Sequence, residues 1–237
     1  TDISYCTRWS LSVDRFKGCP RHLCYWMWIT SKYTPNQARY NAHLYNQKPL
    51  LIVEGPAGCG KTMLACNAAR KRMDDPDDKL DRLILTRPLV TVNNESIGYL
   101  PGTVDAKMQP WVDTFSVYLD DSAMRIDSCF VPLGFIRGTT WDNSLIIADE
   151  MQNSTKQQML TLLTRIGFNS KLIVIGDCTQ SDLDSPDNGL ADLKDRVYEN
   201  EQLVAEAEVF IDVIRMNASD IKRSPFVRYV TQMYTDT

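Results

Sequence analysis

Two stretches carry residue types that together handle a polyphosphate and a divalent cation. The first is Gly55-Pro56-Ala57-Gly58-Cys59-Gly60-Lys61-Thr62, which follows the apolar run Leu50-Leu51-Ile52-Val53-Glu54 and opens a segment rich in alanine, lysine and arginine. The pattern is G-x-x-x-x-G-K-[ST] in a strand–loop–helix setting, the context in which that spacing binds phosphate. Its glycines let successive backbone N–H groups turn inward onto phosphate oxygens, and the helix start adds partial positive charge. Lys61 is expected to reach the β and γ phosphates, and the Thr62 hydroxyl to hold magnesium. Cys59 contributes its backbone N–H, with its thiol incidental. ATP with Mg2+ is the implied ligand.

The second stretch is Leu145-Ile146-Ile147-Ala148-Asp149-Glu150. Apolar residues deliver Asp149 to the carboxyl end of a buried strand, where it orients the magnesium and its water shell. Glu150 then stands beside the γ phosphate as the base that polarises an attacking water. A third stretch, Leu172-Ile173-Val174-Ile175-Gly176-Asp177-Cys178-Thr179-Gln180, ends another apolar run in a glycine turn. Gln180 is expected to enter the crevice at the strand ends and sense the γ phosphate. The same residues also suit a turn in which Asp177 and Thr179 satisfy backbone groups. Upstream, Thr34-Pro35-Asn36-Gln37 offers an amide for adenine, and reads equally as a helix start with Thr34 as cap and Pro35 in the first turn. Tyr40 is either a stacking ring or a core residue.

The elements that must position these groups alternate along the chain. Strands are expected at Leu50–Glu54, Leu83–Thr86, Ile126–Val131, Ser144–Asp149, Leu172–Gly176 and Val209–Ile214. Helices are expected at Lys61–Met73, Val104–Leu119, Thr155–Arg165, Leu190–Tyr198 and Phe226–Tyr234. Apolar runs separated by helices specify an α/β fold with a mostly parallel sheet and helices on both faces. Met159, Leu162, Leu163 and Ile166 should face the core. Asp74-Asp75-Pro76-Asp77-Asp78 reads as a solvated loop. Residues 34–237 form the main domain. Residues 1–33 are an N-terminal extension in which Trp9, Trp26, Trp28, Tyr5, Tyr25 and three cysteines crowd together. Cys6, Cys19, His22 and Cys24 lack the paired spacing of familiar zinc modules, so the segment reads as an arm packed on the domain.

Composition narrows the class. The 237 residues are 43% hydrophobic and 24% charged, with a formal net charge of −4. That balance gives no general attraction to nucleic acid, so any such binding needs a local basic strip. No apolar run nears the roughly 20 residues of a membrane span, and no signal-peptide pattern opens the chain. Seven cysteines fit reduced thiols and a cytoplasmic location better than a disulfide framework.

These motifs, in this order, resemble the PhoH-like proteins, single-domain ATPases related to the superfamily 1 helicase core. The resemblance spans about residues 34–235 and rests on Thr34–Gln37, the loop at 55–62 and Leu85-Thr86-Arg87-Pro88. It continues through Gly98-Tyr99-Leu100-Pro101-Gly102, Phe135-Ile136-Arg137-Gly138, Asp149-Glu150-Met151-Gln152-Asn153 and Thr164-Arg165-Ile166-Gly167-Phe168. Gly176-Asp177-Cys178-Thr179-Gln180 and Ser219-Asp220-Ile221-Lys222-Arg223-Ser224-Pro225 complete it. It implies a RecA-like P-loop NTPase fold, ATP hydrolysis, and action on single-stranded RNA or DNA, with helicase-like remodelling or RNA processing. It implies that Gln37 reads adenine, that Thr86, Arg87 and Arg137 meet a nucleic-acid backbone, and that Arg137, Arg165 or Arg223 neutralises charge on the γ phosphate. Arg223 is the favoured finger, supplied across a homo-oligomeric, hexameric ring. Cys59 and Met151 depart from the usual threonine and alanine, and the segment after Leu119 is short. The rival reading is a nucleotide-gated assembly switch without motor activity. A nuclease lacks its acidic or histidine constellation, and a small-molecule kinase is disfavoured by a site arranged around water.

Overall fold

The computed structural model describes residues 33–88, 111–112, 115, 117–119, 127–181, 187–199, 208–222, 226, 229–230 and 233. In chain order the elements are α1 (Pro35–His43), β1 (Leu50–Glu54), α2 (Lys61–Asp74), β2 (Arg82–Thr86), β3 (Asp127–Phe130) and β4 (Ser144–Ala148). They continue with α3 (Lys156–Leu163), β5 (Lys171–Gly176), α4 (Gly189–Glu199) and β6 (Ile211–Arg215). The six strands form one sheet in the order β3-β2-β4-β5-β1-β6, and every pairing is parallel. The α/β class with a parallel sheet is the one specified by the alternating apolar runs, and the RecA-like P-loop arrangement is the one implied by the family resemblance.

Side chains alternate across a strand, and here both sets are apolar, so the strands read as unbroken hydrophobic runs. Leu51, Val53, Leu83, Leu85, Leu145, Ile147, Ile173 and Ile175 pack on one face beneath α1 and α2. Leu50, Ile52, Ile84, Ile146, Leu172 and Val174 pack on the other, against Met159 and Leu162 of α3 and Leu190 and Leu193 of α4. Leu163 and Ile166 are only partly buried against that second cluster.

The expected boundaries shift where neighbours decide them. Residues 208–210 are helical, so β6 starts at Ile211 rather than Val209. Its register against β1, Leu50 opposite Ile211, sets that start. Residues 111, 112 and 115 are helical, but 117–119 form a turn, which ends that helix before Leu119. Asp74, Asp75 and Asp77 are exposed as expected of a solvated loop, while Asp78 pairs with Arg72 at 2.7 Å. Cys59, Cys66 and Cys178 are free thiols, whereas Cys129 is disulfide-bonded, against the expectation of reduced thiols. Cys6, Cys19, His22, Cys24, Gly98–Gly102 and Arg223 lie outside the described residues. Among the described residues, no helix is long and apolar enough to cross a membrane.

At the amino end of β1, β5 and β6, polar groups lock the sheet. Asp212 accepts from His43 Nδ1 at 2.7 Å, Lys48 Nζ at 2.8 Å and Asn46 Nδ2 at 2.5 Å. Buried Lys171 donates to Asn46 Oδ1 and Lys48 O at 2.8 and 2.9 Å. Burial raises the Asp212 pKa, but the bonds from Lys48, Asn46 and His43 outweigh it and bring the carboxyl to about 2. The unfolded chain takes up a proton near pH 4 and the folded chain only near 2, so the stabilisation is present above pH 4 and lost as pH falls. Urea unfolding should show a loss on the order of 1–2 kcal/mol across that window, which Asp212→Asn abolishes.

Candidate nucleotide site

The crevice lies at the carboxyl ends of the strands, as open parallel sheets dictate. Register sets the heights of its walls. Glu54 at the end of β1 is level with Gly176 of β5, and Ala148 of β4 is level with Val174 and Thr86. Gly55 N donates to Gly176 O at 3.2 Å, and Asp149 N to Thr86 O at 2.9 Å, extending the ladder by one step. The loop after β1 therefore faces the residues after β4 across the end of β5. β5 separates the two chemistry-bearing strands, which are not neighbours in the sheet.

A crevice of about 260 Å³ is lined by Ala57, Gly58, Gly60, Lys61, Thr62, Met63, Tyr118, Asp149, Glu150, Gly176, Asp177 and Gln180. Gly58 and Gly60 adopt φ of 84° and 89°, in the left-handed region that glycine tolerates. The Lys61 ammonium lies over the loop, donating to Gly55 O at 2.5 Å and Pro56 O at 3.0 Å. Thr62 Oγ1 donates to Asp149 Oδ1 at 3.1 Å. A hydroxyl and a carboxylate brought together at the mouth of a phosphate loop are the hard oxygen donors that Mg2+ prefers, so the residues present fit that ion.

Asp149 is buried, and its carboxyl is raised to about 6. Burial is the largest cause and the Glu150 charge adds to it; the Thr62 hydrogen bond and the Arg87 charge oppose it. Arg87 also lies 5.9 Å from the centre of the Trp111 ring. A bound cation would favour the ionised form.

Glu150 sits in the left-handed region, φ 54° and ψ 37°, a conformation uncommon for a non-glycine residue and held only by its surroundings. Gln152, buried behind the crevice, supplies that hold. Its Nε2 donates to Glu150 Oε2 at 2.6 Å, and its Oε1 accepts from Asp177 N at 3.1 Å. A Cβ on Gly176 would approach that Oε1 to 2.7 Å, so glycine there makes room for the amide. Gln152 enters the sequence reading only as part of a motif; its bridging role requires β4 and β5 side by side. Asp177 likewise lines the crevice, with Oδ1 accepting from Thr179 N and Oγ1 at 3.0 and 2.6 Å and Oδ2 buried without a partner. The turn reading of Asp177 and Thr179 therefore holds together with the presence of Gln180 in the crevice.

Other expected residues stand apart. Gln37 is buried; its Oε1 accepts from Thr34 N at 3.1 Å, closing a capping box, and its Nε2 donates to Cys59 O and Asp220 O, both at 3.0 Å. The amide thus ties the phosphate loop to the 217–221 turn instead of facing the crevice. Tyr40 is a core residue whose hydroxyl donates to Lys61 O at 3.1 Å. Thr86 is fully buried with its hydroxyl unpartnered, so no backbone phosphate reaches it in this arrangement. Arg165 has no carboxylate partner among the described residues; it donates to Thr139 O and Thr164 Oγ1. His43 belongs to the Asp212 lock.

The family profile described as "PhoH-like protein" matches residues 29–235. The chain belongs to the PhoH-like family. It is 34% identical over 194 residues to the PhoH-like protein of Synechocystis, covering 76% of this chain and 55% of that protein. It is 32% identical over 222 residues to Protein PhoH of Escherichia coli K12, covering 85% of this chain and 59% of that one. A PhoH-like protein of Bacillus subtilis is 34% identical over 212 residues, with coverage of 85% and 62%. The chain thus spans somewhat under two thirds of these relatives. In fold it is similar to the large terminase of a thermophilic bacteriophage, solved in complex with ADP, with a TM-score of 0.50 and 11% identity. That match covers 85% of this chain and 50% of the terminase.

Two outcomes follow from this geometry. Calorimetry from pH 5 to 8 should show Mg·ATP binding weakening as pH falls through about 6, with Asp149→Asn weaker throughout and lacking that component of the pH dependence. Gln152→Met, close in shape but unable to make either hydrogen bond, should lower kcat roughly 10- to 100-fold. The KM for ATP should stay within about threefold, because Lys61, Thr62 and Asp149 keep their own contacts.

Proposed function

We propose that this PhoH-like protein binds Mg·ATP in the crevice and hydrolyses it, and that turnover drives action on single-stranded RNA. The observation that carries the ATPase reading is the meeting of Thr62 and Asp149 at 3.1 Å beside Glu150 and the Lys61 loop. Backbone N–H groups of residues 55–62 would hold the phosphates, with Lys61 on the β and γ oxygens. Thr62 and Asp149 would hold Mg2+, which supplies charge neutralisation on the phosphates when bound. Glu150, aimed by Gln152, would accept the proton of the attacking water, and Gln180 would contact the γ phosphate or that water. Gln37 would reach adenine only by exchanging one of its two donated bonds, so base recognition is coupled to the loop it anchors.

The RNA reading, a cytoplasmic setting and a hexameric ring in which Arg223 completes a neighbour's site rest on the family resemblance. A P-loop domain with an arginine supplied in trans is a known way to neutralise γ-phosphate charge. Arg87, held by Trp111 and near Asp149, would link a strand lying over the site to the metal-binding carboxylate.

Steady-state ATPase assays with Lys61→Ala and Glu150→Gln, with and without single-stranded RNA, test these steps. Lys61→Ala should lose ATP binding. Glu150→Gln should keep binding and slow turnover by about 100-fold or more. RNA should stimulate the wild type at least about tenfold, a barrier reduction of roughly 1.4 kcal/mol. No stimulation combined with ATP-dependent assembly would favour the nucleotide-gated switch.

A further inference from the structure

A chain of net charge −4 that engages a polyanion must gather basic groups where no carboxylate neutralises them. A second cleft, about 330 Å³, meets that condition. Arg137 and Gly138 form one wall; Gln157, Thr161, Thr164 and Arg165 form the other, with Leu160 at the rim and no acidic residue in the lining. Gln157, Leu160, Thr161 and Thr164 recur at i, i+3, i+4 and i+7, the outward stripe of α3 and its cap. This cleft shares no residue with the nucleotide crevice. It also lies toward the other end of the sheet: Arg165 O accepts from Trp141 N at 2.9 Å, just before β4 begins.

The two guanidinium groups differ in a useful way. Arg165 is fixed, with Nη1 on Thr139 O at 3.0 Å, Nη2 on Thr164 Oγ1 at 3.2 Å, and an enclosed Nε without an acceptor. Arg137 is exposed and bonds to no other described residue. The threonine hydroxyls are already engaged, Thr161 on Gln157 O and Thr164 on Thr161 O. The donors left for a ligand are therefore guanidinium N–H groups and the Gln157 amide.

Planar guanidinium groups with no competing carboxylate match phosphate oxygens. The cleft is open, and its only apolar lining side chain is Leu160, 57% exposed, so it offers no enclosing wall for a base. Such a site grips backbone and ignores sequence. We propose that Arg137 and Arg165 form a phosphodiester-binding cleft for single-stranded nucleic acid, separate from the ATP crevice. This rests on the reading that the protein acts on a polynucleotide.

The test is fluorescence anisotropy of a labelled oligouridylate with the full chain, across a salt series. The variants are Arg137→Ala, Arg165→Ala and the pair. Arg39→Ala and Lys71→Ala, at exposed basic residues elsewhere, remove the same charge as controls. The pair should raise Kd at least about tenfold, and lower the slope of log K against log salt by roughly 0.7 per lost contact. The controls should stay within about twofold. Arg137 makes no bond to another described residue, so Arg137→Ala alone carries the test if loss of Arg165 impairs folding in a thermal melt. A folded double variant with wild-type affinity and slope overturns the cleft while leaving the RNA reading intact. A wild type that binds no oligonucleotide overturns that reading and the cleft with it. Displacement of the oligonucleotide by submillimolar pyrophosphate would assign the cleft to a small phosphate compound. A shift in oligomeric mass without change in RNA affinity would assign it to a contact between copies; either result overturns the proposal.

Discussion

The hydrogen bond from Thr62 to Asp149 is the contact on which the candidate site depends, because it joins the phosphate loop to the acidic motif. β1 and β4, which carry these residues to the crevice, do not pair with each other. β5 pairs with both and holds them level, and Gly176 at its end lets Gln152 and the loop approach. A one-residue slip in either pairing would turn every side chain of that strand to the opposite face. With both faces of the sheet filled by buried apolar side chains, such a slip is heavily disfavoured. The core therefore sets the distance between Thr62 and Asp149.

That distance places two carboxylates next to each other in a poorly solvated crevice. Burial and the Glu150 charge both push Asp149 up, to about 6. Like charges close together in a partly desolvated site raise the cost of ionisation, and a divalent cation removes that cost. Glu150 avoids competing for the same position by turning into the left-handed region, where Gln152 holds it. Because Gln152 also accepts from Asp177 N, Glu150 and the loop carrying Gln180 share one amide.

Polar groups cluster at both ends of the sheet, and they do different things. At the amino end, Asp212, Lys48, Asn46, His43 and Lys171 satisfy one another and close the structure. At the carboxyl end, Asp177 Oδ2 and the Thr86 hydroxyl remain buried without partners. Unmet hydrogen-bonding capacity of that kind costs stability and concentrates where function needs it. Gln37 belongs to the satisfied class: its amide joins Thr34, the Cys59 carbonyl and the Asp220 carbonyl, making the N-terminal helix start a brace for the phosphate loop.

The amino-acid sequence by itself determined the strand–loop–helix at 50–73, the apolar strand ending in Asp149-Glu150 and the α/β class, and it offered the capped start at Thr34 as one of two readings. Each depends on local rules: the conformational freedom of glycine, capping chemistry, and apolar runs too long for a one-faced sheet. Tertiary structure alone decided that β5 separates the two motif strands, that Gln152 bridges Glu150 and Asp177, that Gln37 braces a loop, and that Thr86 is buried. It also brought Arg137 and Arg165 to one cleft from opposite sides of β4 in the chain. Strand order and side-chain partners across it arise from crossovers and packing between distant segments, and no local pattern encodes which distant residue a side chain will meet.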